Sequence, residues 1–413
     1  KKKKKRKKKM EYMEELYAMM RMKWRLRRIE TGIACNDDDL RFCYDILQAV
    51  SRSFAVVIME LNDEMRDAVC IFYLVLRALD TVEDDMSLPV DFKLRELPTF
   101  HEHLHDTTWC MSGVGVGRER ELLEHYTHVT RAYARLNKAY QDVISSICER
   151  MANGMCEFLT RKVETKADYD LYCHYVAGLV GHGLTLLYVS SGLEDMRIAD
   201  DLTNANHMGL FLQKTNIIRD FYEDIREVPP RVFWPREIWG TYTDDLHAFK
   251  EELHEAKAIE CLNAMVADAL VHVPYVIEYL ASLRDPSVFA FSAIPQVMAM
   301  ATLSLVFNNK DVFHTKVKTT RGATARIFHY STEPQAALQM LKTYALRLAA
   351  RVNAQDACYD RIEHLVNDAL RAMELHQKPN GESVARSMLM RYPALGGHLL
   401  YTLVDNVVGY LGK

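Results

Sequence analysis

From residue 31 onward, apolar and polar positions recur every three to four residues with few interruptions, the period of amphipathic helices. The two-residue alternation that marks strands is scarce. The pattern predicts helices over 41–60, 64–85, 91–105, 119–160, 167–192, 200–226, 250–283, 289–308 and 334–374. Breaks fall at "MSLPVD" (86–91), "MSGVGVG" (111–117), "REVPPRVFWP" (226–235), "RDPS" (284–287), "TTRGAT" (319–324) and "HQKPNGES" (376–383), most of them marked by Pro or Gly. No proline lies between Pro98 and Pro229, and "RAYARLNKAYQDVISSICERMANGMCEFL" (131–159) predicts one long helix. The expected architecture is a single all-α domain over residues 31–375, a helical bundle around a central cavity. A basic, flexible tail (1–30) precedes it, and a linker with an apolar segment (376–413) follows.

Composition agrees with a large core. Of 413 residues, 49% are hydrophobic and 26% charged. Nine cysteines show no CxxC pair and mostly sit in apolar stretches, so they read as small buried hydrophobes in a reducing compartment. "KKKKKRKKK" (1–9) holds nine cations, so the formal charge of −4 becomes −13 over the remainder. Such a run stays solvated, and no apolar segment follows it as a secretory signal requires. "YPALGGHLLYTLVDNVVGYLG" (392–412) is long enough to span a bilayer, but Asp405 would cost about 3 kcal/mol at its centre. An interfacial segment fits at least as well.

The chemistry concentrates in two places. "FYLVLRALDTVEDD" (72–85) runs from a helix that should be buried into Asp80, Glu83, Asp84 and Asp85, with Arg77 inside it. Buried carboxylates cost several kcal/mol each unless something compensates them. Asp80 and Asp84, four residues apart, share a helical face. "LFLQKTNIIRDFYEDIRE" (210–227) repeats the arrangement with Arg219, Asp220, Glu223 and Asp224. Two solvated helix ends would explain either run alone. Two copies with matched spacing, each beside an arginine, point instead to hard cations such as Mg²⁺, which take carboxylate oxygens together with substrate phosphates.

These runs resemble the two aspartate-rich motifs of the squalene synthase family of head-to-head prenyl synthases. The likeness extends to "SRSFAVVI" (51–58), "CHYVAGLVG" (173–181), "MGLFLQKTNIIRD" (208–220), "FWP" (233–235) and "SVFAFSAIPQVMA" (287–299), and covers most of residues 40–325. The resemblance implies an isoprenoid-synthase fold and a two-step reaction. Two farnesyl diphosphates condense to the cyclopropane presqualene diphosphate, which then takes a hydride from NADPH to give squalene. It implies Mg²⁺ on Asp80, Glu83, Asp84, Asp220, Glu223 and Asp224, and phosphate contacts from Arg52, Arg77, Arg219 and Arg231. Tyr175 matches the family's catalytic tyrosine. Ser51, Phe54, Tyr73, Gln213, Asn216, Phe289 and Phe291 fall at substrate-binding positions, and Gly178, Gly181 and Gly183 would leave room for a prenyl chain. Lys318, Thr320 and Arg321, in "VKTTRG", correspond to a basic stretch that holds cofactor phosphates, with Thr320 where arginine is usual. Arg118 and Arg120 lie near a position that is commonly lysine. The family further implies a monomer at the endoplasmic reticulum membrane, its catalytic domain facing the cytosol.

Other signals weigh less. "GVGVG" (113–117) has neither the GxGxxG spacing nor a preceding strand, so a dinucleotide-binding fold is not expected. "HEHLHD" (101–106) spaces its histidines at alternate positions, which do not share a helical face, and a solvated segment outweighs a zinc site. Two rivals remain at this level. One is a non-reductive phytoene or dehydrosqualene synthase; the other is a non-catalytic scaffold with a basic tail. Nucleic acid is not an expected partner.

Overall fold

A computed structural model describes residues 12–23, 37–353 and 355–377, the Arg52 side chain excepted. The described residues are helical and contain no strand. The first acidic run ends the Asp63–Asp84 helix, which Asn62 caps by accepting from the Met65 N–H at 2.9 Å. Asp63 and Glu64 in its first turn complement the helix dipole. Thirteen of its residues are buried, against neighbours that include Asp38–Val50, Gly117–Glu124, Thr127–Ala134 and Lys138–Phe158. At about 1.5–3 kcal/mol for each large apolar side chain, that burial can offset a costly acidic end.

The second acidic run ends Thr203–Arg219, which packs against Leu179–Ser190, Glu255–Leu270, Val273–Ser282 and Pro286–Val306. At Asp220 the backbone leaves the helix (φ −89°, ψ 5°) before one more turn, Phe221–Asp224. Each acidic helix anchors its own apolar cluster, and Pro286–Val306 joins the two. Phe289, Ala293 and Val297 enter one cluster; Val288, Phe291 and Ile294 enter the other. That double role explains a helix apolar all round. It and the Glu252–Ser282 stretch are long and apolar enough to cross a membrane, yet most of each is buried.

Several predicted elements divide. The long helix over 131–159 breaks at Arg135–Asn137, where the Asn137 side chain accepts from the Ala139 N–H at 3.0 Å and starts Lys138–Phe158. Asparagine is among the strongest N-caps, so a local signal overrode the apolar period. The 41–60 stretch divides at Ser51, and 91–105 becomes Val90–Glu96 followed by a 3₁₀ segment, Leu97–His105. The 167–192 stretch contains a π turn, His174–Gly178. The 334–374 stretch is two helices, Pro334–Ala349 and Tyr359–Leu375.

Short elements outside the predicted helices include Arg236–Trp239, Leu246–Lys250 and Lys310–Phe313, and two longer ones matter more. Arg321–Tyr330 is a helix beginning inside the predicted break at 319–324. Residues 12–23, placed in the flexible tail, form a helix docked on it: Glu14 pairs with Arg326 at 3.2 Å, and Tyr17 meets His329 edge-on at 5.4 Å. Leu16 and Ala18 are buried. His376–Lys413 separates as a second unit, and the 392–412 segment and residues 1–9 lie outside the described residues.

Candidate active site

The four acids of the first run divide into three and one. Asp85 turns away, accepting from the N–H groups of Gly115 (2.7 Å) and Ser87 (2.9 Å) and from the Ser87 hydroxyl (2.6 Å). The Ser87 hydrogen bond leads in holding its carboxyl below the usual range. The glycine string makes this contact possible. Gly113, Gly115 and Gly117 all have positive φ, and a Cβ on Gly115 would lie 2.5 Å from the Thr81 methyl. The loop clamps a helix end, and among the described residues no strand precedes it.

Asp80, Glu83 and Asp84 remain together. The Arg231 guanidinium donates to Glu83 at 3.0 and 3.2 Å and to Asp84. Lys93, itself buried, donates to the Glu83 carbonyl. Burial raises Asp80 to about 7 against the opposing pull of Arg77, with Asp84 adding to the rise. Burial also raises Glu83, although Arg231 opposes it. Arg77 donates to the Tyr73 hydroxyl at 3.1 Å, and its buried Nε has no hydrogen-bond partner.

In the second run, Arg219 grips Asp220 with two bonds of 2.7 and 2.5 Å, and Lys316 pairs with Glu223. Asp224 is raised to about 7, by burial first and then by Asp220. Its carbonyl accepts the backbone N–H of Arg231 at 3.0 Å. Arg231 therefore joins the two runs, its backbone on one and its side chain on the other. The sequence reading named Arg231 but missed Lys316, which a basic residue directly before "VKTTRG" could have signalled.

The donor set is all carboxylate oxygen, which suits a hard divalent cation. Among the described residues no three His, Cys, Asp or Glu side chains converge into a group that could hold a metal ion by themselves. Arginine or lysine partners already compensate Asp84, Glu83, Asp220 and Glu223, so the site is built around positive charge meeting acid.

Tyr175 lies in the π turn, half-buried, and donates to Glu157 at 3.1 Å. Tyr172, one turn earlier, stacks on Phe233 at 4.1 Å. Burial and the charge of Glu83 push the Tyr172 phenol well up, with Arg231 opposing. Phe54 is exposed and lies 5.6 Å from Tyr73. Phe289 and Phe291 are buried, one in each apolar cluster. Gln213 is half-buried and Asn216 exposed near the end of the second acidic helix. Ser51 accepts from the Phe54 N–H at 3.4 Å as a helix cap. Arg52 opens that helix, but its side chain lies outside the described residues.

The glycines require a correction. A Cβ on Gly178 would lie 2.0 Å from Asn206 Oδ1, one on Gly181 2.2 Å from the Ala205 carbonyl oxygen, and one on Gly183 2.6 Å from Phe72. Protein atoms fill the space these glycines leave, so they bring helices together and make no room for a prenyl chain.

Lys318, Thr320 and Arg321 are exposed. Thr320 caps Arg321–Tyr330, accepting from the Ala323 N–H at 3.2 Å. Two cations at a helix N-terminus suit a phosphate. Arg118 and Arg120 are engaged locally, with Glu121 and with the Gly115 carbonyl at 2.9 Å. His103 stacks on Trp109 at 4.1 Å and bonds Glu96, an arrangement without metal-ligand geometry.

Paired acidic helices inside an all-α bundle define the isoprenoid-synthase class. Residues 47–323 match the squalene/phytoene synthase family. Squalene synthase 1 of Arabidopsis thaliana is 50% identical over 317 residues, which is 76% of this chain and 77% of that protein. The squalene synthase of Nicotiana benthamiana is 48% identical over 344 residues, 83% of this chain and 82% of that one. A solved complex of TcSQS with the ligand E5700 superposes with a TM-score of 0.82 at 92% identity, covering 83% of this chain and all of that chain. A dehydrosqualene synthase structure, at 19% identity and TM-score 0.50, shares the fold. The chain belongs to the squalene/phytoene synthase family. It is a prenyl-transferring enzyme of isoprenoid and sterol biosynthesis that binds a prenyl diphosphate and makes squalene; the non-reductive and scaffold alternatives are not supported.

Proposed function

We propose that the two acidic runs hold Mg²⁺ and that one site carries both halves of the reaction, using two farnesyl diphosphates and NADPH. Arg231 carries this reading, since it ties Asp224 of one run to Glu83 and Asp84 of the other. Asp80, Glu83, Asp84, Asp220, Glu223 and Asp224 would hold the metal, which when bound neutralises charge on the departing diphosphate. Arg77, Arg219, Arg231 and Arg52 bind phosphate oxygens, for which the planar guanidinium fork is suited. The paired arginines and Lys316 exchange carboxylate partners for phosphate as substrate enters. Tyr175 moves a proton at its phenolic oxygen and offers its ring face to a passing carbocation. Ser51, Phe54, Tyr73, Gln213, Asn216, Phe289 and Phe291 line the substrate path.

Lys318 and Arg321, beside the Thr320 cap, bind the phosphates of NADPH, and the Lys316–Glu223 pair joins that strip to the second acidic run. NADPH when bound supplies the hydride; the chain orients it and excludes water. The catalytic domain is assigned to residues 31–375. Residues 376–413 are assigned to the endoplasmic reticulum membrane surface, with the domain in the cytosol as a monomer.

The test is incubation with farnesyl diphosphate and Mg²⁺, with and without NADPH, followed by product identification. Squalene should form only with NADPH. Without it, presqualene diphosphate or alcohols from water capture should accumulate. The same hydrocarbon in both cases would overturn the reductive reading, and turnover undiminished by chelator would overturn the metal.

A further inference from the structure

The environment of the Tyr175 hydroxyl is more completely built than a packing role requires. A Cβ on Gly154 would lie 2.1 Å from Tyr175 Cγ, so glycine there lets the phenol ring lie directly against the Lys138–Phe158 helix. One turn further along, Glu157 presents Oε2 to the Tyr175 hydroxyl at 3.1 Å. Its other oxygen, Oε1, accepts from Arg161. Arg161 in turn donates to Asp168 Oδ1. Asp168 is fixed by the Thr165 N–H (2.8 Å), the Thr165 hydroxyl (2.9 Å) and the Glu164 N–H (3.2 Å) of a helix capping box. Glu157 is thus held by a rigid chain that ends in a helix start.

The sequence pointed to Tyr175 but to none of the residues that surround its hydroxyl. Glu157 and Arg161, four apart on a helix, look like an ordinary surface pair. Their side chains are 37% and 40% exposed, so the carboxylate touches the half-buried phenol on one side and water on the other. The acid site lies close by: Tyr172, one turn before Tyr175, is packed 5.3 Å from Phe158, the neighbour of Glu157, and stacks on Phe233 beside Arg231.

We propose that Glu157 is a positioning residue that serves as the proton outlet of Tyr175, passing the proton released in the first half-reaction from the phenol to solvent. The inference rests on the reading of Tyr175 given above. The stoichiometry demands such an outlet. Two allylic diphosphates give one presqualene diphosphate, one diphosphate and one proton. A C–O bond breaks with its electron pair leaving on diphosphate. A C–H bond then breaks with its pair closing the cyclopropane, and the proton goes to Tyr175 Oη. As Oη gains that proton it gives its own to Glu157 Oε2, so the phenol ends neutral, as it began. Glu157 then returns the proton to water. Arg161 keeps its charge throughout and compensates the carboxylate. Burial and the bond to Glu157 both raise the Tyr175 phenol, which disfavours a standing phenolate and favours transfer through a partner. The charged and titratable groups facing Tyr175 are Glu157 and Arg161 from the 138–158 helix and its end, His174 from its own turn at 5.6 Å, and Asp168 behind Arg161.

The experiment compares Glu157→Gln, Glu157→Asp, Tyr175→Phe and the double variant Tyr175→Phe/Glu157→Gln. Each is assayed for presqualene diphosphate formation from farnesyl diphosphate with Mg²⁺, across pH 6 to 9. Glutamine keeps the shape and still accepts the phenol's hydrogen bond but cannot take the proton. Glu157→Gln should slow the step roughly thirty- to a hundredfold, within the range for lost acid–base help. The KM for farnesyl diphosphate and the melting temperature should stay near the parent's. Its rate should climb with pH over the range where the parent is flat, as hydroxide replaces the lost acceptor. Glu157→Asp should recover part of the rate. The double variant should be no slower than Tyr175→Phe, because Glu157 acts only through the phenol. A parental rate and pH profile for Glu157→Gln beside an impaired Tyr175→Phe would overturn the relay and leave the tyrosine its role. An unimpaired Tyr175→Phe would overturn both. A Glu157→Gln defect confined to KM or melting temperature would reduce Glu157 to packing, and so would one that multiplies with that of Tyr175→Phe.

Discussion

Arg231 rests its guanidinium on Glu83 at 3.0 Å while its own backbone N–H is bound to the Asp224 carbonyl. One residue thereby spans 148 positions of sequence and joins two acidic runs that would otherwise repel. Its own charge is favoured by Glu83 and Asp84 despite burial. In the free enzyme it does the compensating that cation and substrate would share with it in the complex.

Arg231→Ala should therefore destabilise the metal-free protein more than the metal-bound one. Removing one partner of a mostly buried ion pair costs up to about 3 kcal/mol, since it leaves the other charge unmatched. Adding Mg²⁺ with inorganic diphosphate should recover most of that loss. Thermal unfolding of parent and variant, with and without both ions, checks this. An equal loss under both conditions would show that Arg231 matters only as a structural tie.

Asp80→Asn and Asp220→Asn should each lower turnover at least about a hundredfold, the scale of losing one electrostatic contact to a developing charge. Asp80→Asn should leave the apo protein as stable as the parent, because a carboxyl raised to about 7 gains little from ionising there. Steady-state kinetics and melting curves separate the two effects. Near-parental turnover in either variant would remove that acid from the metal site.

The same acids predict how apo stability responds to pH. Asp80 and Asp224, each raised to about 7, and Glu83, also raised, bind protons more tightly in the folded chain than in the unfolded one. A raised carboxyl contributes stability that is fully present below its unfolded value and is lost as pH rises through the folded one. His182, lowered to about 4 by burial, and His272, held well below the usual range by the same cause, act the other way. Their contribution is lost as pH falls from about 6.5 toward the folded value. Above pH 6.5 the acids act without that opposition, so the metal-free melting temperature should fall between pH 6.5 and 8.5. Saturating Mg²⁺ with diphosphate should flatten the slope. A slope unchanged by the ions would mean that other groups set it.

Gly181→Ala tests the packing role of that glycine. Its new Cβ would meet the Ala205 carbonyl oxygen at 2.2 Å, and backbone cannot swing aside as a side chain can. Overpacking of this kind costs about 1–3 kcal/mol. The variant should unfold at lower urea concentration while giving the parental product. Full stability with an altered product would return the glycine to the prenyl pocket.

Much of this was legible in the sequence, for physical reasons that differ by element. The Asp63–Asp84 helix followed from apolar period and capping residues together, and its bounds fell within a residue of the prediction. The break at Asn137 did not, because apolar spacing continues through it and only the cap chemistry marks the stop. The acids could be named from matched spacing, but not Asp85's withdrawal, which depends on a glycine loop thirty residues away in sequence. Glu157 escaped because it becomes informative only beside Tyr175, and Lys316, although it borders "VKTTRG", shows its tie to the acids only beside Glu223. The docked helix over 12–23 was hidden by the basic run before it, whose charge dominated the reading of the whole segment.

The reductant strip gives the last prediction, and the structure alters what the sequence alone would suggest. Lys318→Ala and Arg321→Ala should each raise the KM for NADPH about ten- to a hundredfold, the equivalent of losing one charged hydrogen bond of about 1.5–3 kcal/mol. Presqualene diphosphate formation should be nearly unchanged in both. Thr320→Arg would restore the cation expected at that position, and on charge alone it should lower that KM. Thr320 is also the N-cap of Arg321–Tyr330, however, and arginine cannot accept from the Ala323 N–H. Losing a threonine cap costs about 1 kcal/mol of helix stability, and the frayed turn is the one that would hold the phosphate. Thr320→Arg should therefore melt earlier than the parent and gain less than tenfold in NADPH affinity. Thr320→Ser, which keeps the cap, should leave both quantities near parental. Initial rates of squalene formation against NADPH concentration, set beside melting curves, decide the matter. An unchanged KM in both alanine variants would move the cofactor phosphates away from this strip.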